Sequence, residues 1–141
     1  MTEADMTILF GKYIRSIKPK KSAVFELKIA KGPLPFSAVK PHQIEALQAV
    51  TREGLYHKIT DTPWGTTNKF RFTQPKPFDS IYLVNIEAFI VLWFYHPRKP
   101  KEFIFIEIFK FLNERDSSSR KSLTEQRAKE IGSLLTIKKE S

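Results

Sequence analysis

The sequence contains no cysteine. Disulfide staples, thiolate zinc sites and a cysteine nucleophile are therefore excluded. Its three histidines, His42, His57 and His96, are scattered without ligand spacing, so no His-based metal site is legible. An all-oxygen site for Mg²⁺ needs neither residue type and stays open. Long apolar runs are missing too. The longest, residues 88–95 (AFIVLWFY), is too short to span a bilayer. The start, MTEADMTILF, lacks the basic and apolar regions of a signal peptide. No helix pattern joins a basic face to a wide apolar one, which disfavours a membrane-surface protein. These absences predict a soluble, cytoplasmic protein.

Acid is in short supply as well. Lys and Arg number 24 against 15 Asp and Glu, a formal net charge of +9 over 141 residues. With 41% hydrophobic and 13% aromatic residues, the chain is too apolar to be a disordered basic tail. The length suits one domain spanning residues 1–141. A folded domain with this field favours polyanions, nucleic acid above all.

Thr2 and Asp5 have the spacing of a capping box, and Met6, Leu9, Phe10, Tyr13 and Ile17 recur at helical intervals. The expectation is an amphipathic helix over residues 3–16. After the basic connector 18–22, residues 23–29 alternate as a strand does. Pro41 suits a helix start, with Ile44, Leu47 and Val50 as its inner stripe and Gly54 near its end. Strands are expected over 55–60, 78–83, 88–95 and 103–111, the third being central and covered on both faces. Residues 61–76 read as a long loop or irregular hairpin. A polar loop follows at 116–122, a helix from the Ser122–Glu125 capping box to about residue 135, and a flexible basic tail over 136–141. The order α-β-α-β-β-β-β-α predicts one α/β domain, a central mixed sheet flanked by helices.

Chemistry concentrates in Phe25-Glu26-Leu27-Lys28. Side chains two apart on a strand share a face, so Glu26 and Lys28 stand together while Phe25 and Leu27 point the other way. A carboxylate beside an ammonium can hold a divalent ion and position a water. It can equally be a solvated ion pair on an edge strand. Gln43 falls on the stripe with Leu47 and Val50. It either turns inward to a polar partner or bonds the backbone at its own helix start.

Taken together, Glu26-x-Lys28 on a strand, the Leu34-Pro35-Phe36 loop and the helix opening Lys40-Pro41-His42-Gln43 resemble the PD-(D/E)xK nuclease superfamily. Within it the likeness is to Holliday junction resolvases of the RecU-like and phage or archaeal branches. It runs from the first helix to Val50 and more loosely through the later strands. The resemblance implies a restriction-endonuclease-like fold with Glu26-x-Lys28 on a central strand. It implies endonucleolytic hydrolysis of DNA phosphodiesters at four-way junctions by a homodimer, with Mg²⁺ as cofactor and Mn²⁺ as a substitute. Glu26 would then be a metal ligand, Lys28 would orient the attacking water, and Gln43 would face the same site.

The superfamily also uses an aspartate just upstream of Glu-x-Lys, and here the connector is wholly Lys, Pro and Ser. Asp79, opening a later strand, is the preferred replacement as second metal ligand, because an unpaired carboxylate within an apolar strand would be costly. Asp61 is the rival. Relatives often add an acid from the first helix; Glu3 lies on its inner stripe, though a first-turn acid also suits the helix dipole. Three basic clusters could neutralise phosphates: Arg15, Lys18, Lys20 and Lys21; Arg98, Lys99 and Lys101; Arg120 and Lys121 with Arg127 and Lys129. Trp64, Phe70 and Phe72 could stack on bases or cover one end of the sheet. The strand 103–111 could supply part of a dimer interface or simply core. Two alternatives stay open: a nuclease of the same class acting on duplex, flap or single-stranded DNA, and a non-catalytic DNA-binding module on the same fold.

Overall fold

In a computed structural model, which describes residues 2–17, 21–59 and 78–137, the first helix begins where its capping residues place it. Thr2 Oγ1 accepts from the Asp5 N–H at 3.2 Å, and the Asp5 carboxylate accepts from the Thr2 N–H at 2.8 Å. Those Thr2 bonds hold the Asp5 carboxyl below the usual range. Helix α1 (Glu3–Ile17) buries Met6 and Phe10, with Leu9 and Ile14 beside them. The stripe runs out at Ile17, which is exposed.

The main sheet has the order β1-β5-β6-β8, formed by β1 (Ala23–Ala30), β5 (Glu87–Phe94), β6 (Lys101–Glu107) and β8 (Ser133–Ile137). β1 runs parallel to β5; the β5–β6 and β6–β8 pairs are antiparallel. β5 is central as expected, its side chains buried from Ile90 to Phe94. Two short antiparallel pairs accompany this sheet: β2 (Leu34–Pro35) with β7 (Ser122–Leu123), and β3 (Leu55–Lys58) with β4 (Ser80–Leu83).

The strand period of two divides the core. Phe25, Leu27, Phe89, Val91, Trp93, Phe103 and Phe105 face α1, where Phe10 meets Phe25 and Phe103 edge to face at 5.0 and 5.5 Å. Val24, Ala30, Ala88, Ile90, Leu92, Ile104 and Ile106 face the other layer. That layer holds α2 (Pro41–Glu53), α3 (Ile108–Ser117) and α4 (Glu125–Ile131), which contribute Leu47, Phe111, Leu112 and Ala128. The architecture is thus mixed α/β, a mixed sheet with helices on both faces. No helix among the described residues is long and apolar enough to cross a membrane.

Several expectations change. Residues 103–111 are not one strand: β6 stops at Glu107, whose carboxylate accepts from the Lys110 N–H and opens α3. This helix also takes the start of the polar loop expected over 116–122, of which Ser122 pairs in β7. Phe103, Ile104, Ile106, Ile108 and Phe111 are buried in the chain's own core, while Phe109 is exposed. The last helix is shorter than residues 122–135, with Thr124 rather than Ser122 as its cap. The chain then returns as β8, which takes residues 136 and 137 from the expected tail. Gly132 permits that reversal: a Cβ there would meet the Ile104 side chain and the Phe105 carbonyl oxygen, both at 2.8 Å.

Helix α2 matters most for the site. Pro41 occupies its first position, where no N–H is needed, and Gly54 ends it at φ 79°. A side chain at Gly54 would collide with the Leu83 carbonyl oxygen at 2.5 Å, so the glycine lets β4 pass close to the helix end.

Candidate functional site

Glu26 and Lys28 lie on the α2 side of β1, opposite Ile90 and Leu92 of β5 in the ladder. Those two neighbours are essentially without solvent contact. The two charges therefore stand on an apolar background, with the Lys28 side chain 14% exposed and that of Glu26 27%. Lys28 Nζ is 3.2 Å from Glu26 Oε1. Burial of this degree makes an unpaired charge costly, which favours the pair staying together.

Gln43 completes the cluster. Its Nε2 donates to Glu26 Oε1 at 2.7 Å, and its Oε1 accepts from the Lys40 N–H at 2.9 Å. Both expected roles of Gln43 hold at once, and one fixes the other. Because the backbone N–H claims the amide oxygen, the amide NH₂ must face β1. This is half of a capping box; lysine at the cap position, a donor only, cannot return the second bond. Glu26 Oε1 thus receives both an amide and an ammonium. Among the described residues, nothing donates to Oε2.

Chemically, the arrangement offers one oriented carboxylate with an oxygen in reserve and an ammonium beside it. A carboxylate so held can ligate a hard cation or accept a proton from water; the ammonium can meet an anionic oxygen. The fit to Mg²⁺ is partial. Glu26 supplies one suitable oxygen, and no group of three His, Asp or Glu side chains converges among the described residues.

The other expected members are placed differently. β1 is an edge strand among the described residues, not central, since β5 is its sole partner there. Glu3 is exposed on α1, whose contacts are with the opposite face of the sheet. It therefore leaves the site and remains a first-turn acid. Asp79 lies in a bend before β4, and its carbonyl oxygen accepts from the Ile59 N–H at 2.8 Å. Its side chain is exposed, so the burial cost that recommended it as a ligand is absent. Asp61, Trp64, Phe70 and Phe72 lie outside the described residues, as do Lys18 and Lys20.

The remaining basic residues do not behave alike. Arg15, Arg98, Lys99, Arg120 and Lys121 are exposed, with Arg98 at the positive φ of 64° in the turn after β5. Lys21 approaches Glu87 at 3.9 Å, and Lys101 Nζ sits 5.8 Å from the centre of the Trp93 ring. Arg127 and Lys129 leave the phosphate-binding set because carboxylates already hold them. Arg127 meets both Glu114 oxygens at 2.9 Å and Glu130 at 2.8 Å. Lys129 joins Glu102 at 3.1 Å and Glu125 at 3.3 Å.

A second polar cluster escaped sequence reasoning. His96 Nε2 lies 2.6 Å from Glu125 Oε2, tying the turn after β5 to the start of α4. Burial pushes the Glu125 carboxyl up, but bonds from His96 and Lys129 outweigh it and hold the group below its ordinary range. Nothing local in the sequence signals a contact between segments 29 residues apart.

Compared with protein-family models, with curated proteins and with solved structures, the chain matches none.

Proposed function

We propose that the protein is a metal-dependent DNA endonuclease of the PD-(D/E)xK type, with four-way junctions as its substrate. The observation that carries this reading is the Gln43–Glu26–Lys28 cluster. A strand carboxylate, a strand lysine and a helix-borne amide, drawn from two elements, meet on one otherwise apolar face. The net charge of +9 supports a polyanionic substrate.

On this reading Glu26 offers its unshared oxygen to Mg²⁺, and Mn²⁺ would serve in its place. Asp79, or Asp61, is the candidate for a second carboxylate. The ion would supply Lewis-acid polarisation of the scissile phosphate. Lys28 holds a proton and a positive charge where an attacking water and a phosphate oxygen must come together. Gln43 fixes which Glu26 oxygen faces outward. Symmetric cutting of a junction calls for two such sites and hence a homodimer.

The test is cleavage of a labelled four-way junction with and without Mg²⁺, beside a linear duplex and the variant Glu26→Gln. Paired nicks near the branch that require the ion and vanish in the variant are expected. Junction binding without cutting in either Mg²⁺ or Mn²⁺ would overturn the enzyme and leave a binding module. Equal cutting of the linear duplex would keep the nuclease and remove the junction.

A further inference from the structure

Beside the Glu26 cluster lies a groove of about 610 Å³ that the functional reading does not use. Its apolar lining includes Phe36, Val39 and Ile44, from the turn before α2 and the first turns of that helix. Lys40 lines it as well, and Arg115 enters from the last turn of α3. Arg115 gives its Nε to Asp116 at 2.9 Å, and its two Nη groups have no partner among the described residues. Among the described residues, Glu45 is the one carboxylate lining the groove. Phe36 donates its N–H to the Lys121 carbonyl at 3.1 Å, which fixes the backbone of exposed Lys121 beside that end. Lys40 and Arg115 thus line the groove against Glu45 and the already paired Asp116.

The groove is also fixed relative to Glu26. The Lys40 N–H and Glu26 Oε1 are bridged by a single carboxamide, that of Gln43. Lys40, which lines the groove, is therefore two hydrogen bonds and one amide group from the carboxylate.

We infer that this groove is the track for one DNA strand flanking the scissile phosphate, with Lys40 and Arg115 holding backbone phosphates and the apolar floor receiving sugar or base. The inference takes its ligand from the nuclease reading but can fail separately from it. An apolar floor between cationic walls suits a phosphodiester chain, whose charges lie along one margin and whose flat apolar groups lie along the other.

The test measures binding of a fluorescent oligothymidylate across a salt series, in a Glu26→Gln background so that nothing is cut. Lys40→Met with Arg115→Met should weaken binding and reduce the salt slope by about two, one for each phosphate no longer neutralised. The bond from residue 40 to Gln43 uses the backbone N–H, so Lys40→Met leaves it in place. Glu45→Lys should tighten binding and steepen the slope by about one, a gain that misfolding cannot imitate. Unchanged slopes in both variants would overturn the groove while the junction-cleavage result stands. Stronger competition by polyglutamate than by oligothymidylate would overturn it in favour of an acidic peptide.

Discussion

Replacing Gln43 by Glu tests the site's central contact without touching either catalytic candidate. A carboxylate at this position keeps an acceptor for the Lys40 N–H, so the helix start is retained. What changes is the partner of Glu26: an amide donor 2.7 Å away becomes a second anion. Two unit charges about 4 Å apart repel by about 4 kcal/mol at an effective dielectric near 20. The Lys28 ammonium, 3.2 Å from the same oxygen, and the partial exposure of Glu26 both reduce that figure. A penalty of about 2 kcal/mol is a reasonable expectation after this screening. Such a repulsion favours the protonated form of one of the two carboxyls in the folded variant, relative to the unfolded chain.

The sign then follows. On the acid side of neutrality the folded variant therefore binds more protons than the unfolded chain, so its stability relative to the native protein rises as pH falls. Urea titrations should show the Gln43→Glu deficit in full at about pH 8 and a smaller deficit at about pH 5. Gln43→Leu supplies the contrast. It removes both hydrogen bonds and adds no charge, so its loss of about 1–2 kcal/mol should vary far less with pH. Equal deficits for Gln43→Glu at both pH values would refute the placement of Gln43 against Glu26, and the proposed site with it.

Two further predictions concern the frame. Phe111 is fully buried and meets Phe36 edge to face at 5.7 Å, so Phe111→Ala should cost about 3–5 kcal/mol in denaturant titrations. A loss below about 1 kcal/mol would return residues 108–111 to an exposed strand end. Arg127 bonds hold the Glu114 carboxyl below its ordinary value of 4.5, with burial opposing them. A depressed carboxyl contributes stability that is complete above 4.5 and lost as pH falls through the lower folded value. The melting temperature of Glu114→Gln should accordingly trail the native protein near neutrality and converge with it in acid; a constant gap across that window would argue against the pair.

The elements that were legible in the sequence are those with punctuation. Thr2 and Asp5 mark one helix start, Pro41 and Gly54 bracket another, and the alternation in residues 23–29 leaves no choice but a strand. Helix α3 carries no such mark. Phe103, Ile104, Ile106, Ile108, Phe111 and Leu112 are apolar at spacings that suit either period, and glutamate at position 107 is not a favoured cap. The break between β6 and α3 is set by where the sheet ends, a tertiary fact. β8 is likewise decided by its partner. Its residues would continue a helix in isolation, but Gly132 fits tightly against β6 and the chain there finds a full ladder of hydrogen bonds instead.

The same distinction governs the site. Glu26, Lys28 and Gln43 could be brought together on paper because each step is local: a strand period of two, a proline-marked helix start, and a short loop between them that leaves the helix few ways to return to the strand. Charge partners from remote segments obey no such rule. His96 with Glu125 and Arg127 with Glu114 join stretches whose proximity depends on the packing of α3 and α4, helices that the pattern either missed or misplaced. Asp79 shows the cost of substituting residue type for geometry. Its acidity and its position at a strand start recommended it, yet the strand it opens belongs to a separate two-stranded sheet and its side chain is exposed. The requirement for a second carboxylate comes from chemistry, since a single carboxylate such as Glu26 seldom holds Mg²⁺ without help from substrate phosphates or further ligands. Asp79→Asn and Asp61→Asn, set beside Glu26→Gln in the junction assay, therefore divide the question. Whichever substitution abolishes cleavage while sparing junction binding identifies that ligand, and loss of cleavage with Glu26→Gln alone would assign the metal to Glu26 and the substrate's own phosphate oxygens.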